Sequence, residues 1–229
     1  MRQIVLDTET TGLNPLTGDR IIEIGCLEMV DRRLTGNKLH HYINPQRDID
    51  PGAVAVHGLT AEFLSDKPTF ADVAQEIIEF LRDAELIIHN APFDVGFLDA
   101  EFGLLKLGKV NDHVAGVIDT LKNARDMFPG RRNSLDALCE RFGVSNEHRT
   151  FHGALLDSEL LAEVYLAMTR GQEDLSIDLH HGDNEIEKSK RKPLPTKLVV
   201  QLATIEEQED HAAYLESVAK AAKKPPIWS

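Results

Sequence analysis

The sequence predicts an α/β protein with a central mixed sheet, antiparallel on one side and parallel on the other, flanked by helices. Three observations lead to this prediction. Strand-like segments near the start of the chain are joined by short connections, which favour antiparallel pairing. Farther along, apolar strand-like runs alternate with segments of helical periodicity. After residue 170 the chain becomes polar and charged, so a largely flexible C-terminal tail is expected.

The strands can be placed in order along the chain. Residues 2–6 form a short apolar run, which predicts a buried first strand. The segments 20–30 and 39–45 alternate well enough to be the second and third strands, with a hairpin turn at 31–37. Two later apolar runs predict the remaining strands: residues 85–90 and 116–120.

The helices follow from apolar periodicity and from residues that favour helix ends. Five segments carry these signals: 68–82, 94–105, 120–128, 134–143 and 154–169. In the first helix the apolar side chains share one face, and Thr69 can cap its start. Ser134 and Gly143 mark the start and the end of the fourth helix. The fifth helix is strongly amphipathic.

Composition divides the chain into three regions. Residues 1–170 have the length and the apolar content of one domain with its own core. Residues 171–195 are polar, contain two prolines and predict a flexible linker. Residues 196–229 regain some structure-forming character and include Trp228, the single tryptophan of the chain.

The sequence also indicates the cellular compartment in which the protein works. The chain contains no run of about 18 apolar residues, so no membrane-spanning helix is expected. The N-terminal segment leads straight into the first strand without a signal-peptide pattern. Cys26 and Cys139 lie in apolar periodic segments and are expected to be buried thiols that form no disulfide. These features predict a cytoplasmic protein.

The formal net charge of −13 restricts how the chain could bind nucleic acid. A protein that holds nucleic acid unaided is usually basic, because contacts with phosphates dominate the affinity. If the substrate is a polyanion, metal ions in a local site or a partner protein must therefore help to hold it.

Asp7 and Glu9 form the first candidate site, directly after the apolar run of the first strand. In an extended segment, residues two apart point to the same face. Two adjacent carboxylates repel each other, and a hydrated divalent cation such as Mg²⁺ or Mn²⁺ removes that cost. The pair taken alone could equally be two solvated charges in a turn.

Three further residues can join this site. Asp94 follows the strand at 85–89 and could instead be a helix N-cap. His152 and Asp157 are five residues apart, which in a regular helix separates them by about 140°. They can reach one site only if His152 lies at the helix entrance; the alternative is an ordinary histidine. Together these residues are acids at two strand ends and on a late helix, with one titratable histidine. Metal-assisted phosphodiester hydrolysis uses groups of this kind.

Three short motifs carry a resemblance to a known family. The stretches "DTETTG" at 7–12, "HNAPFD" at 89–94 and "HGALLD" at 152–157 resemble the three motifs of the DEDDh 3′–5′ exonucleases, in that family's order. The stretches "MFPGRRNSLDALC" and "RTFHGALLDSELLAEVYLAMT" narrow the resemblance to the epsilon (proofreading) family of bacterial DNA polymerase III subunits. The resemblance implies an RNase H-like fold and 3′–5′ hydrolysis of DNA that releases nucleoside 5′-monophosphates.

The resemblance also implies roles for individual residues. Asp7, Glu9 and Asp157 would bind metal directly and contact the substrate, and Asp94 would complete the set for two divalent cations, Mg²⁺ or Mn²⁺. His152 would be the general base. Further contacts with the terminal nucleotide would come from four residues: Thr8, Leu13, His57 and Phe93. At Gly52 the chain departs from close relatives, which can carry a glutamate there.

The same resemblance implies the partners. The substrate would be a single-stranded or frayed 3′ end of DNA. Residues 196–229, with Tyr214 and Trp228, would dock on the polymerase III alpha subunit, and Gln172–Ile177 fits a weak sliding-clamp peptide. A small accessory subunit would be a further partner, and no membrane is involved. Residues 1–170 would then be the exonuclease domain.

Two other functions would fit parts of the sequence. An RNA-trimming DEDDh exonuclease, like RNase T or oligoribonuclease, acts independently of a polymerase, so the linker and the docking tail count against it. A catalytically silent adaptor between polymerase and clamp does not need the acids and the histidine, which are intact here.

Overall fold

The computed structural model describes residues 1–146, 151–170 and 204–222. The chain forms two compact units, Met1–Ile177 and Asp178–Ser229. The linker predicted at 171–195, its clamp peptide Gln172–Ile177 and Trp228 lie outside the described residues.

One five-stranded mixed sheet forms the centre of the first unit. Its strands are β1 (Arg2–Thr10), β2 (Ile21–Val30), β3 (Arg33–Tyr42), β4 (Glu85–Ile88) and β5 (Gly116–Asp119). Their order across the sheet is β3-β2-β1-β4-β5. The pairs β1–β2 and β2–β3 are antiparallel, whereas β1–β4 and β4–β5 are parallel. The predicted mixed sheet is thus confirmed.

The first strand is longer than the sequence predicts. It runs through Thr10 instead of ending at Leu6, because Thr8 and Thr10 continue the antiparallel pairing with β2. Both threonines are buried, and β-branched residues fit a buried strand. Asp7 and Glu9 therefore lie within a paired strand, and the alternative of a solvated turn is wrong.

The hairpin between β2 and β3 is tighter than predicted. Asp31 and Arg32 both have positive φ angles, 48° and 63°, so two residues complete the turn. The third strand consequently begins at Arg33 instead of residue 39. Its first half was assigned to the turn because an exposed edge strand carries polar residues there.

Eight α-helices lie in the described residues, seven of them in the first unit. Their bounds are α1 (Pro51–His57), α2 (Ala61–Leu64), α3 (Phe70–Leu81), α4 (Ala91–Leu104), α5 (Thr120–Met127), α6 (Leu135–Phe142), α7 (Ala154–Met168) and α8 (Ile205–Ala222). The sequence did not predict α1 and α2. They are too short to show a periodic pattern, and side-chain caps from Asp50 and Thr60 stabilise their first turns.

The predicted helix ends are largely confirmed. Ser134 accepts a hydrogen bond from the Ala137 backbone N–H (3.4 Å), and Gly143 ends α6 in the left-handed conformation. At the start of α3, the backbone N–H and the hydroxyl of Thr69 both donate to the Asp72 carboxylate, at 2.8 and 2.7 Å. This carboxylate at N3 supports the cap that the sequence places at residue 69.

Alternating residues of β1 point to two hydrophobic clusters, one on each face of the sheet. Ile4 and Leu6 join the cluster under α3 and α4, and Val5 joins the cluster under α6 and α7. Cys26 lies in the first cluster and Cys139 in the second, and both are fully buried thiols not joined by a disulfide, as predicted. Burial raises the pKa of the Cys26 thiol well above its usual range.

The second unit is described over one helix, α8, which follows Thr204. Its first turn is acidic, with Glu206 and Glu207, as suits the positive end of a helix dipole. Tyr214 is exposed on this helix. Over the described ranges of both units, no helix has the length and the apolar character needed to span a membrane.

Candidate active site

The end of β1 supplies the first two acids. Asp7 and Glu9 alternate with Thr8 along the strand, so their side chains point to the same face, as predicted. Glu9 is mostly buried, with 9% of its surface exposed, and Asp7 is half-buried. The paired strand fixes both backbones, so these carboxylates are held without a flexible loop.

Asp94 is not the N-cap of its helix, because α4 begins three residues earlier, at Ala91. Asn90 holds the cap position in the left-handed conformation, with a φ of 69°, and Pro92 lies in the first turn. Asp94 therefore points from inside the first turn, where it is almost fully buried. The Thr8 hydroxyl donates a hydrogen bond of 2.7 Å to Asp94 Oδ1, which joins α4 to β1.

Burial raises the pKa of the Asp94 carboxyl to about 7. Hydrogen bonds from the Thr8 hydroxyl and from the Asp94 and Thr8 backbone lower this pKa in part. Thr8 is predicted to contact the terminal nucleotide, and its backbone N–H here stabilises the charged form of Asp94. A nearby cation would also favour the ionised carboxylate.

His152 lies just before α7, which is the placement that the five-residue spacing requires. Gly153 is extended and α7 begins at Ala154, so the histidine is outside the regular helix. Its backbone N–H donates to the Val56 carbonyl (3.1 Å), which ties this entrance to α1. His152 Nδ1 lies 3.3 Å from Asp157 Oδ2, and the Asp157 side chain is buried.

The residues brought together here fit a divalent cation. One ligand atom from each of Glu9, His152 and Asp157 lies within 4.8 Å of the others. Asp7, Asp94 and these three line one cavity of about 550 Å³, here called the acid cavity. Carboxylate oxygens are the ligands that Mg²⁺ and Mn²⁺ prefer.

A second cavity of about 450 Å³ adjoins the acid cavity, and is called the apolar cavity here. It contains the four residues predicted to contact a terminal nucleotide: Thr8, Leu13, His57 and Phe93. Thr8, Glu9 and Phe93 line both cavities. Leu13 is 85% exposed, so it is available for contact and is not a core residue.

His57 ends α1 and is buried in the wall of the apolar cavity. Its Nδ1 accepts a hydrogen bond of 3.0 Å from the Leu59 backbone N–H, and burial lowers its pKa. Gly52 lines the same cavity, and a side chain there would begin 3.1 Å from Asp50 Oδ1. The Asp50 carboxylate therefore already occupies the space next to this glycine.

Two residues near the site have structural roles. Asp119 caps α5 through the Leu121 backbone N–H (3.0 Å) and also accepts from the Asn90 N–H (3.2 Å). It therefore orders the entrances of two helices. Glu23 was not singled out in the sequence; it is buried and lies 2.7 Å from His40 Nε2.

The acid cavity also contains residues that the sequence analysis missed. Arg125, Arg131 and Asn133 line it and do not line the apolar cavity. The dipeptide at 131–132 in "GRRNS" was the available signal, but arginine pairs are common on surfaces. His89 lines it too; its Nδ1 is 2.9 Å from the Thr120 hydroxyl, and burial lowers its pKa.

Comparison with known sequences identifies close relatives. The sequence model of the exonuclease family (RNase_T) matches residues 4–165. A DNA polymerase III subunit epsilon of Pasteurella multocida is 60% identical over 178 residues, which cover 76% of this chain and 70% of the relative. The DNA polymerase III subunit epsilon of Escherichia coli K12 is 52% identical over 231 residues, which cover 96% of this chain and 94% of the relative.

Solved structures agree with the fold. Exonuclease X in complex with 5′ overhanging duplex DNA is 27% identical, with a TM-score of 0.59 over 75% of this chain and 93% of that chain. The nuclease domain of 3′hExo, described as a DEDDh family member bound to rAMP, is 18% identical. It has a TM-score of 0.63 over 74% of this chain and 92% of that chain, which supports the fold alone.

Proposed function

This chain belongs to the exonuclease family and, within it, to the DNA polymerase III subunit epsilon family, and on that premise we propose that it proofreads newly made DNA. It would remove nucleotides from a single-stranded or frayed 3′ end by 3′–5′ hydrolysis. The observation that carries the proposal is the meeting of Asp7, Glu9, Asp94, His152 and Asp157 in one cavity.

The four acids would hold two divalent cations, Mg²⁺ or Mn²⁺. Asp7, Glu9 and Asp157 would bind them directly, and Asp94 would complete the set. Such ions supply charge stabilisation for the attacking and leaving oxygens of a phosphodiester. Because the carboxylates come from a strand and two helices packed on one sheet, the protein holds them in place before any substrate binds.

His152 would act as the general base. Asp157 lies beside Nδ1, which favours the tautomer with the proton on that nitrogen and leaves Nε2 as the acceptor. Nε2 would take a proton from water, the water oxygen would bond to phosphorus, and the bond from phosphorus to the 3′ oxygen would break. The products are a nucleoside 5′-monophosphate and a strand shortened by one nucleotide.

The apolar cavity would hold the terminal nucleotide. Leu13 and Phe93 offer apolar surface to the base and the sugar, and His57 lies in the wall behind them. Thr8 would act mainly by positioning Asp94, since its hydroxyl is bonded to that carboxylate.

Outside the catalytic domain at 1–170, the chain would attach to the replication machinery. Residues 196–229, which include α8 with the exposed Tyr214, would dock on the polymerase III alpha subunit. Exposed aromatic side chains are frequent anchors of protein interfaces. Gln172–Ile177 would bind the sliding clamp weakly, and a small accessory subunit would be a further partner. Such a subunit would work in the cytoplasm, where bacterial DNA is copied.

Asp7→Asn tests the proposed chemistry. The change keeps the size of the side chain and removes one carboxylate ligand, so hydrolysis of a mismatched 3′ terminus in Mg²⁺ should fall by about 100-fold or more. The effect is measured as the initial rate of nucleotide release, with His152→Gln expected to lose about 100-fold as well.

The matched control is Asp31→Asn, in the hairpin turn at the other end of the sheet. It removes the same charge, and asparagine tolerates the left-handed backbone there. Activity in Asp7→Asn equal to that of Asp31→Asn would rule out the metal mechanism. Faster turnover of short RNA than of single-stranded DNA would favour an RNA-trimming enzyme instead.

A further inference from the structure

The two cavities of the cleft differ in the chemistry of their walls. The apolar cavity has Leu13 and Phe93 in its walls. The acid cavity is lined by Arg125 of α5 and by Arg131, in the turn before α6, and neither arginine lines the apolar cavity. These two arginines are here called the cationic wall.

The cationic wall continues beyond the acid cavity. A further cavity of about 800 Å³ is lined by Arg131, Arg132, Ser134, Asp136, Ala137, Glu140, Arg141 and Asn146. It shares Arg131, Ser134 and Asp136 with the acid cavity, so the two form one continuous path. Two acidic residues lie along it, and one of them, Asp136, accepts a hydrogen bond from the Asn146 amide (3.1 Å).

Arg125 and Arg131 are available to bind a ligand. Both are exposed, and across the described parts of the chain neither forms a salt bridge with a carboxylate. Arg20, by contrast, pairs with Glu101 through two bonds of 2.7 Å. Arg141 is held as well, by Asn133 Oδ1 (3.0 Å) and by the ring of Phe128 (4.3 Å).

In a chain with a net charge of −13, two arginines without a carboxylate partner beside a catalytic cavity are unexpected. A guanidinium group matches a phosphate through parallel hydrogen bonds, and it stays charged at any physiological pH. The apolar cavity suits a base and a sugar, so the rest of a bound strand has to pass through the part of the acid cavity that the apolar cavity does not share, where the two arginines lie.

We propose that Arg125 and Arg131 bind the backbone phosphates of the substrate strand on the 5′ side of the bond that is cut, with Arg132 extending this contact. The inference rests on the proposed exonuclease function. It explains how an acidic protein can hold a polyanion locally: these cations act on the strand next to the bond being hydrolysed, while the rest of the surface repels DNA.

The test compares Arg125→Ala, Arg131→Ala and the double variant on two substrates. One is a single-stranded oligonucleotide; the other is the p-nitrophenyl ester of thymidine 5′-monophosphate, which has no phosphate on that side. For the oligonucleotide, the KM of the double variant should rise on the order of tenfold with kcat little changed. The slope of log kcat/KM against log salt should fall by about 0.7 per arginine, and hydrolysis of the ester should not change.

Two matched variants separate the effect of where an arginine lies from the effect of its charge. Arg33→Ala removes an exposed arginine at the far end of the sheet and should leave the KM and the salt slope as in the unmodified chain. Arg131→Lys keeps the charge and should keep most of the salt slope. Direct binding of a fluorescent single-stranded oligonucleotide, measured by anisotropy in the Asp7→Asn variant, gives a readout that needs no hydrolysis.

Three results would overturn the inference. The first is an unchanged KM and salt slope in the double variant, and the second is an equal loss of activity on the ester. The third is a loss of activity on duplex substrates alone, which would assign the arginines to the complementary strand. A different result would contradict the proposed function: an unmodified chain that hydrolyses neither substrate. In that case the anisotropy measurement still decides whether the arginines bind the strand.

Discussion

At the scale of single residues, the acids of the site have different environments. Asp7 is half-buried, whereas Asp94 is almost fully buried and relies on the Thr8 hydroxyl. Burial disfavours charge, and this raises the pKa of the Asp94 carboxyl to about 7. A carboxyl of this kind makes the stability of the fold depend on pH.

The pH dependence of unfolding should reveal Asp94. Its pKa is about 7 in the folded protein against an ordinary value of 3.8, so its protonated form stabilises the fold at low pH. That contribution is complete below pH 3.8 and is lost as the pH rises through about 7. In EDTA, urea denaturation should therefore show stability falling more steeply between about pH 4 and pH 7 than in Asp94→Asn.

Added Mg²⁺ provides the internal control for this measurement. A bound cation favours the ionised carboxylate, so the difference between the two proteins should shrink or reverse. Identical pH slopes for Asp94→Asn and the unmodified chain in EDTA would show that this carboxyl is not perturbed.

Residue identities in the site were largely predictable, but their environments were not. The spacing of Asp7 and Glu9 determines that they share a face once the strand is known to continue to Thr10. The position of Asp94 inside the first turn of α4 depends on the left-handed backbone of Asn90, which no local sequence pattern predicts. Arg125 and Arg131 have no distinguishing sequence pattern at all, since their role depends on which cavity they line.

At the scale of elements, one close contact positions α7, the helix that carries Asp157. A Cβ atom added at Gly25 of β2 would lie 2.4 Å from the Ala154 carbonyl carbon and the Leu155 nitrogen. The Ser158 hydroxyl donates to the Gly25 carbonyl (3.0 Å), so the first turn of α7 rests directly on the strand backbone. Asp157 lies in that turn.

Gly25→Ala should consequently lower both stability and activity. The added methyl group meets backbone atoms that cannot rotate away, so α7 must shift, at a cost of about 1–3 kcal/mol in the free energy of unfolding. Displacing Asp157 and His152 should lower the rate of hydrolysis as well. Urea denaturation and initial-rate measurements on the same protein sample check the two effects.

Gly103→Ala in α4 is the matched control. No atom outside its own helix lies within 4 Å of the added Cβ, and alanine favours a helix over glycine by about 0.5–1 kcal/mol. This variant should be as stable as the unmodified chain or more so. If Gly25→Ala behaved in the same way, the close contact would not position α7.

Element types were predictable wherever periodicity extended over several turns. The sequence predicts α3, α6 and α7 with correct type and close bounds, and α3 and α6 each bury one face. The strongly amphipathic character predicted for α7 is wrong, because this helix is buried around most of its circumference and only Glu159 and Glu163 are exposed on it. The sequence missed α1 and α2, which have seven and four residues and owe their ends to single capping side chains. It also shortened β3, whose exposed half lacks an apolar pattern.

At the scale of the whole molecule, catalysis should need only the first region. Both hydrophobic clusters and every proposed site residue lie within residues 1–170. A chain ending at residue 170 should therefore hydrolyse single-stranded DNA at a rate within about twofold of the full chain, because it keeps the whole core. It should also lose co-purification with the polymerase alpha subunit.

A milder variant separates docking from stability. Tyr214→Ala in the full chain removes one exposed aromatic side chain of α8 and should weaken capture of the alpha subunit without changing hydrolysis. Loss of hydrolysis on truncation, or unchanged capture by the truncated chain, would contradict the division at residue 170.

The two buried cysteines can serve as natural probes of local opening in the core. One thiol lies on each face of the sheet, and a thiol-reactive reagent can modify either only when that face opens to water. Labelling rates at Cys26 and Cys139 therefore report separately on the opening of the two halves of the core. Equal labelling rates would mean that both halves of the core open as one cooperative unit. The measurement needs no engineered probe, because both cysteines belong to the chain itself.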